Sequence, residues 1–241
     1  MRYFGLIGKS LSHSFSQKFF TAKFAADGIE ACYDLLEIDS ISKIDRLIAE
    51  KQLSGFNVTI PYKESIIPYL DDLSNEAREV GAVNCVVIKD ARKVGYNTDV
   101  MGIDATLEWL DTTDVKVLIL GTGGASKALQ HVLRKRSMPY SIVSRDKQRG
   151  DYTYDEVTPD VIAEHGIIVN TTPVGMFPNV DAAPAICYDA ITPKHQAFDM
   201  VYNPAKTRFL ELCEAQGAKT MGGMLMLQTQ AIASWHLWQE R

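Results

Sequence analysis

Four short polar clusters in the first hundred residues carry side chains able to bind and protonate a small molecule. They are Ser12-His13-Ser14-Phe15-Ser16, Asn57-Val58-Thr59-Ile60-Pro61-Tyr62-Lys63, Gly81-Ala82-Val83-Asn84 and Gly95-Tyr96-Asn97-Thr98-Asp99. Together they offer hydroxyls, amides, the ammonium of Lys63 and the carboxylate of Asp99. That set suits a small polyhydroxylated acid and suits nucleic acid or lipid poorly. Each residue also has a simpler role open to it. Ser14 can cap a helix, Lys63 can be solvated, and Asp99 can be the N-cap of a helix beginning near Gly102.

A fifth feature lies downstream. Leu118-Ile119-Leu120-Gly121-Thr122-Gly123-Gly124-Ala125-Ser126-Lys127-Ala128 reads as a strand entering a helix through a glycine turn. Gly121 permits the tight turn, Gly123 lets a backbone approach a pyrophosphate, and the helix start receives its charge. Ser126 stands where the third glycine of the dinucleotide fingerprint would fall, so the strand–turn–helix context carries the assignment. Gly5-Leu6-Ile7-Gly8-Lys9-Ser10 ends like a phosphate-binding P-loop. That motif needs a glycine five residues before Gly8, where Tyr3 stands, so no nucleoside triphosphate site is read there.

The elements that must position these groups follow from the hydrophobic pattern. Short β-rich runs at 3–8, 32–37, 55–59 and 83–88 are followed by a second series at 116–120, 140–144, 167–170 and 196–199. Helical patterns fall at 14–26, 41–51, 74–80, 102–110, 125–136, 205–216 and 224–238. Strands alternating with amphipathic helices predict an α/β fold with mostly parallel sheets. In such sheets ligands bind beyond the carboxyl ends of the strands, where the polar clusters would converge. A fresh βαβ unit opens after Asp114-Val115, which places a domain boundary near residue 100.

Composition fits this picture. The 241 residues are enough for two modest domains, with 46% hydrophobic and 23% charged residues. A net charge of −5 gives no general attraction to nucleic acid or anionic membranes. The four cysteines, Cys32, Cys85, Cys187 and Cys213, form no CxxC pair and have no neighbouring histidines. Reduced thiols in a cytoplasmic protein are expected, with neither a disulfide framework nor a metal site. The apolar run in residues 1–8 is too short for a signal peptide, and no stretch approaches the ~20 residues of a membrane span.

The clusters resemble, in order, the motifs of the shikimate dehydrogenase family. Residues 5–16 resemble its N-terminal motif, with the H-S-x-S core intact. Residues 57–63 resemble N-V-T-x-P-x-K, residues 81–84 G-A-x-N, residues 95–102 G-x-N-T-D-x-x-G, and residues 121–128 G-x-G-G-A-x-x-A. Residues 170–176, 199–204 and 223–228 complete the series. The resemblance implies an N-terminal open α/β substrate domain (1–100 plus 222–241) and a Rossmann-like doubly wound NADP-binding domain (101–221). The C-terminal helix would return to the first domain.

It further implies an oxidoreductase of the shikimate (chorismate, aromatic amino acid) pathway that reduces 3-dehydroshikimate with NADPH. Lys63 and Asp99 would be the catalytic pair. Ser14 and Ser16 would bind the substrate carboxylate, and Thr59, Asn84, Asp99 and Gln228 its hydroxyls, with Tyr202 bordering the substrate. Gly121, Gly123, Gly124 and Ala125 would receive the cofactor's pyrophosphate. Asn170, Thr171, Met200 and Gly222 would line its nicotinamide side. Only small-molecule partners are implied, in a monomer or homodimer. Quinate or aminoshikimate dehydrogenases of the same family share most of these groups. A non-catalytic dinucleotide sensor would have no need of Lys63 and Asp99.

Cofactor choice rests on residues 144–149. Binders of NAD usually place Asp or Glu about 20 residues past the glycine turn. This chain has Ser144-Arg145 there, with Arg149 four further on, and two guanidinium forks suit a 2′-phosphate. The family's stretch resembles N-R-T-x-x-R, so Ser144 and Asp146 depart from it, and the Asp146 carboxylate could repel the phosphate or accept from a bare ribose. Ser10 also replaces a proline common in the N-terminal motif. Only 24 residues separate Arg145 from Asn170, fewer than the family usually has. The helix that normally follows the second nucleotide-domain strand is expected to be missing, opening the adenosine end of the site.

Overall fold

The computed structural model describes residues 1–11 and 14–239. They divide into two compact units, Met1–Thr98 together with the chain from Ala231 onward, and Asp99–Gln230.

The first unit is built on a six-stranded sheet. Its strands are β1 (Arg2–Gly8), β2 (Ala31–Glu37), β3 (Leu53–Val58), β4 (Asp72–Leu73), β5 (Cys85–Lys89) and β6 (Arg92–Tyr96), in the order β2-β1-β3-β5-β6-β4. β1 pairs in parallel with both β2 and β3, while β5 runs antiparallel to β3 and β6. β6 was not expected, because Arg92-Lys93-Val94-Gly95-Tyr96 has a weak strand signature. It forms because Asp90 and Ala91, at φ 50 and 61, make a tight hairpin that lays it against β5.

Helix α1 (Phe15–Ala26) connects β1 to β2 and α2 (Ile44–Lys51) connects β2 to β3. Phe20 and Phe24 of α1 pack with Phe4, Leu6 and Tyr33 on one face of the sheet, and Ile44 of α2 packs with Ile7, Phe56 and Val58 on the other. Helix α3 (Asn75–Val80) ends at Gly81, whose φ of +69 is the left-handed cap that glycine tolerates best.

The second unit holds a five-stranded parallel sheet. β7 (Val117–Leu120), β8 (Tyr140–Val143), β9 (Ile167–Asn170), β10 (Gln196–Asp199) and β11 (Lys219–Met221) run in the order β11-β10-β9-β7-β8. This is a doubly wound arrangement in which the order reverses at β7, so its crevice lies between the ends of β7 and β9. All four residues of β7 are fully buried, as a parallel strand covered on both faces requires. The helices are α4 (Asp99–Leu107), α5 (Gly124–Lys135), the short α6 (Pro159–Ala163) and α7 (Arg208–Ala215).

Helix α8 (Met224–Gln239) belongs to both units. Its first turns pack on the second unit, where Gly102 of α4 leaves no room for a Cβ beside the Met226 main chain. From Ala231 it joins the first unit, where Trp235 and Trp238 cluster with Phe4 and Phe24 or Phe20. The C-terminal helix thus returns to the first unit.

The segment after β8 differs from a βαβ crossover with a full helix. It makes 3-10 turns at Lys147–Arg149 and Tyr154–Glu156 before the five-residue α6. Between them Asp151 and Tyr152 lie along β8, donating their main-chain N–H groups to Ile142 O at 2.8 and 3.1 Å. Lys147 fastens this loop by bonding Asp151 O and pairing with Glu156.

Candidate active site

In the first unit the predicted residues gather at one edge of the sheet. Thr59 follows the end of β3, Asn84 precedes the antiparallel β5, and residues 97–98 follow β6, so all three stand at the same end. Ser14 and Ser16 follow β1 at the same edge, at the start of α1. Ser12 and His13 of that cluster lie outside the described residues. Lys63 is half-buried and is brought beside Asn84 by its own carbonyl, which accepts from Val83 N at 2.7 Å.

Ser14 is the N-cap of α1, its hydroxyl accepting from Ser16 N at 3.2 Å. Capping consumes one lone pair of that oxygen and leaves its hydrogen to be placed elsewhere. Asp99 is not an N-cap of a helix starting near Gly102. The helix begins at Asp99 itself, because the Thr98 main chain is already held by Asn84 Oδ1 at 2.7 Å.

Beneath this edge runs a chain of buried neutral polar groups. Asn57 Nδ2 donates to the Asn84 main-chain carbonyl at 3.1 Å and to Ser234 Oγ at 2.9 Å. A carbonyl can only accept, so the amide orientation of Asn57 is fixed, and its Oδ1 accepts from the Tyr33 hydroxyl at 2.8 Å. Tyr33 Oη, having donated there, takes its second hydrogen bond from the Ser16 side chain. Ser234 Oγ lies 3.1 Å from Thr98 Oγ1, which accepts from Asn84 Nδ2 at 3.0 Å. Burial pushes the Tyr33 phenol well above its ordinary range and lifts the Cys85 thiol to about 12, so both are neutral spacers.

In the second unit the glycine turn joins β7 to α5. Gly121 has φ +111, and a Cβ there would collide with Thr171 Oγ1 and Thr172 Cγ2. Gly123 is the N-cap of α5, brings no side chain to the first-turn amides, and has open space where a Cβ would project. A twelve-residue helix beginning in such a cradle fits a pyrophosphate.

Across the crevice, Thr171 donates from both its N–H and its hydroxyl to Leu120 O, at 3.0 and 2.7 Å. Met200 N donates to Asn170 O, and Gly223 N to Val201 O. Asn170, Thr171, Met200 and Gly223 are thereby tied together through the ends of β7, β9 and β10, with Gly222 against Ala205 O. Tyr202 is half-buried in the turn after β10, and Gln228 is exposed on α8.

Ser144 follows the end of β8, buried, with its hydroxyl accepting from Asp146 N at 3.1 Å. Arg149 is exposed and reaches the glycine turn, donating to Thr122 O at 3.3 Å. Arg145 is exposed, beside Tyr154. The Asp146 carboxylate accepts from Gln148 N at 3.0 Å, acting as the cap of its own 3-10 turn.

Sequence reasoning assigned no role to Tyr33, Ser234 or Asp199. Asn57 and Thr98 stood inside quoted motifs but were given none either. Asn57 and Ser234 are 177 residues apart, and no local pattern marks either as the partner of the other. Among the described residues no group of three or more His, Cys, Asp or Glu is placed to hold a metal, and no helix is long and apolar enough to cross a membrane.

Residues 6–86 match the model of the shikimate dehydrogenase substrate binding domain. Over its whole length the chain is 37% identical to a shikimate dehydrogenase (NADP(+)) of Clostridium beijerinckii, covering 93% of that protein. The fold is similar to the crystal structure of shikimate dehydrogenase 1 from Peptoclostridium difficile, with a TM-score of 0.89 at 38% identity, covering 99% of this chain and 92% of that one. It is also similar to shikimate 5-dehydrogenase from Thermus thermophilus in complex with NADP(H) and shikimate. There the TM-score is 0.87 at 30% identity, over 99% and 94% of the two chains.

Proposed function

The chain belongs to the shikimate dehydrogenase family, and on that premise we propose that it catalyses the reversible NADPH-dependent reduction of 3-dehydroshikimate to shikimate. The observation that carries the proposal is the set of groups at the carboxyl edge of the first sheet. It contains hydroxyls and oriented amides with one lysine among them, as a hydroxyl-rich ring bearing one carboxylate demands.

In this reading Ser14 and Ser16 receive the substrate carboxylate at the start of α1. Thr59, Asn84, Asp99 and Gln228 bond the ring hydroxyls, and Tyr202 borders the ring. The main-chain amides from Gly121 to Ala125 hold the pyrophosphate, and Arg145 and Arg149, with Ser144, hold the 2′-phosphate. Asn170, Thr171, Met200 and Gly222 form the nicotinamide side. Bound NADPH supplies the hydride. Lys63 delivers a proton to the carbonyl oxygen as it becomes the alcohol, and Asp99 orients Lys63 and the same hydroxyl. The protein works in the cytoplasm, as a monomer or homodimer.

Lys63→Ala and Asp99→Ala test the assignment of roles. Each is expected to lower kcat for 3-dehydroshikimate reduction about 10²–10⁴-fold in a folded protein. Near-parental kcat in either variant removes that residue from the catalytic pair.

A further inference from the structure

Asp199 is a buried carboxylate that the proposed reaction does not use. It ends β10 with no exposed surface, and no cation pairs with it among the groups that set its ionisation. An isolated charge in such a place is costly unless hydrogen bonds hold it. Three donors do so. Asn170 Nδ2 at 3.0 Å and Val201 N at 2.9 Å both reach Oδ1, and the Thr207 hydroxyl reaches Oδ2 at 2.5 Å.

Two of these partners, Asn170 and Val201, belong to the loops that follow β9 and β10. Asn170 is saturated by its neighbours. Its Nδ2 serves Asp199 and Val174 O, and its Oδ1 accepts from Thr172 N at 3.1 Å and Thr172 Oγ1 at 2.7 Å. An amide has two N–H donors and two lone pairs, so no side-chain bond of Asn170 remains for a ligand. What the two loops can offer a cofactor is main chain, whose placement depends on this knot.

We propose that Asp199 is a positioning residue, acting through Asn170 and Val201 to hold the 170–174 and 200–203 loops where the reactive end of NADPH binds. The inference rests on the function proposed above for the same crevice. Asp199 touches no reactant itself. Burial lifts its carboxyl to about 6, and the titratable groups around it, Tyr188 and Cys213, are both pushed upward toward their neutral forms. The knot is therefore intact in its ionised form at neutral pH.

Two substitutions separate position from charge. Asp199→Asn can keep Oδ1 for Asn170 and Val201, while its new N–H donates to the Thr207 oxygen. Asp199→Ala leaves all three donors without an acceptor. Asp199→Ala is expected to weaken NADPH binding, read by nucleotide fluorescence, about tenfold, and to lower kcat, with the KM for 3-dehydroshikimate within about twofold of the parent. Asp199→Asn should restore NADPH binding to within about threefold.

Parental NADPH binding in a folded Asp199→Ala, or an Asp199→Asn as impaired as Asp199→Ala, overturns the proposal. Should Asp199→Ala not fold, Asn170→Ser cuts the same knot from the other side. It must show the NADPH defect, and parental binding there is equally fatal. Failure of the parent protein to reduce 3-dehydroshikimate would instead sink the function, leaving the nucleotide-binding comparison to judge Asp199.

Discussion

In the first unit the groups proposed to meet the substrate are held by a relay of neutral side chains, Ser16–Tyr33–Asn57–Ser234–Thr98–Asn84. In the second unit the groups proposed to meet the cofactor's pyrophosphate and nicotinamide are main-chain atoms, fixed by a glycine turn and one buried carboxylate. The difference follows from what each unit must hold. A ring of hydroxyls is recognised by oriented donors and acceptors, which a relay anchored on one backbone carbonyl can orient together. A pyrophosphate needs close backbone approach and a helix start, and there side chains would obstruct. The relay of the first unit should therefore be fragile toward loss of any member and, being neutral, should carry no pH response of its own. The second should respond to pH through Asp199.

The sharpest way to break the comparison is at the centre of the relay. Asn57→Leu removes the acceptor of the Tyr33 hydroxyl and the donor to both Asn84 O and Ser234, cutting three buried bonds, while Asn84 O keeps Val58 N and Ser234 keeps Thr98. With the buried Tyr33 hydroxyl left without its acceptor at ~1–3 kcal/mol and two further bonds lost at ~0.5–1.5 kcal/mol each, a loss of roughly 3–5 kcal/mol is expected in urea unfolding. A loss below ~1 kcal/mol would mean that water or rearrangement satisfies the relay.

The next effect is smaller and belongs to the second unit. Asp199 ionises near 3.8 when unfolded and about 6 in the fold, so the folded state holds the extra proton between those values. Its contribution to stability is therefore lost as pH rises from about 4 to about 6, and is flat above that. Asp199→Asn has no such term. Its stability relative to the parent should climb across that window by up to about 3 kcal/mol. Urea midpoints at several pH values check this, and a difference independent of pH, or one that shrinks as pH rises, contradicts the burial argument.

The smallest effect concerns cofactor choice. Arg145→Ala with Arg149→Ala should reduce the preference for NADPH over NADH about tenfold or more, with NADH efficiency nearly unchanged. Equal losses with both cofactors would reassign Arg149 to its bond with Thr122 O, as a support of the glycine turn.

Features that depend on neighbours in sequence were legible beforehand. The turn from Gly121 to Gly124 lies between an apolar strand and an amphipathic helix, and the short crossover after Arg145 is visible by counting. Strand β6 was hidden because Arg92, Lys93 and Gly95 weaken its pattern and the hairpin at Asp90-Ala91 supplies what propensity does not. Strand β11 and helix α6 escaped because three and five residues carry too little periodicity. Tyr33 and Ser234 look like ordinary strand and helix residues until the fold sets them around Asn57. Asp199 was visible at a strand end, but its burial comes only from the packing around β10.

Oxidation of shikimate by the purified chain, with NADP+ and NAD+ each tried against shikimate and quinate, tests the central claim most directly. The account predicts a catalytic efficiency for shikimate with NADP+ at least about tenfold above the other three combinations. An efficiency as high with quinate, or with NAD+, would contradict it.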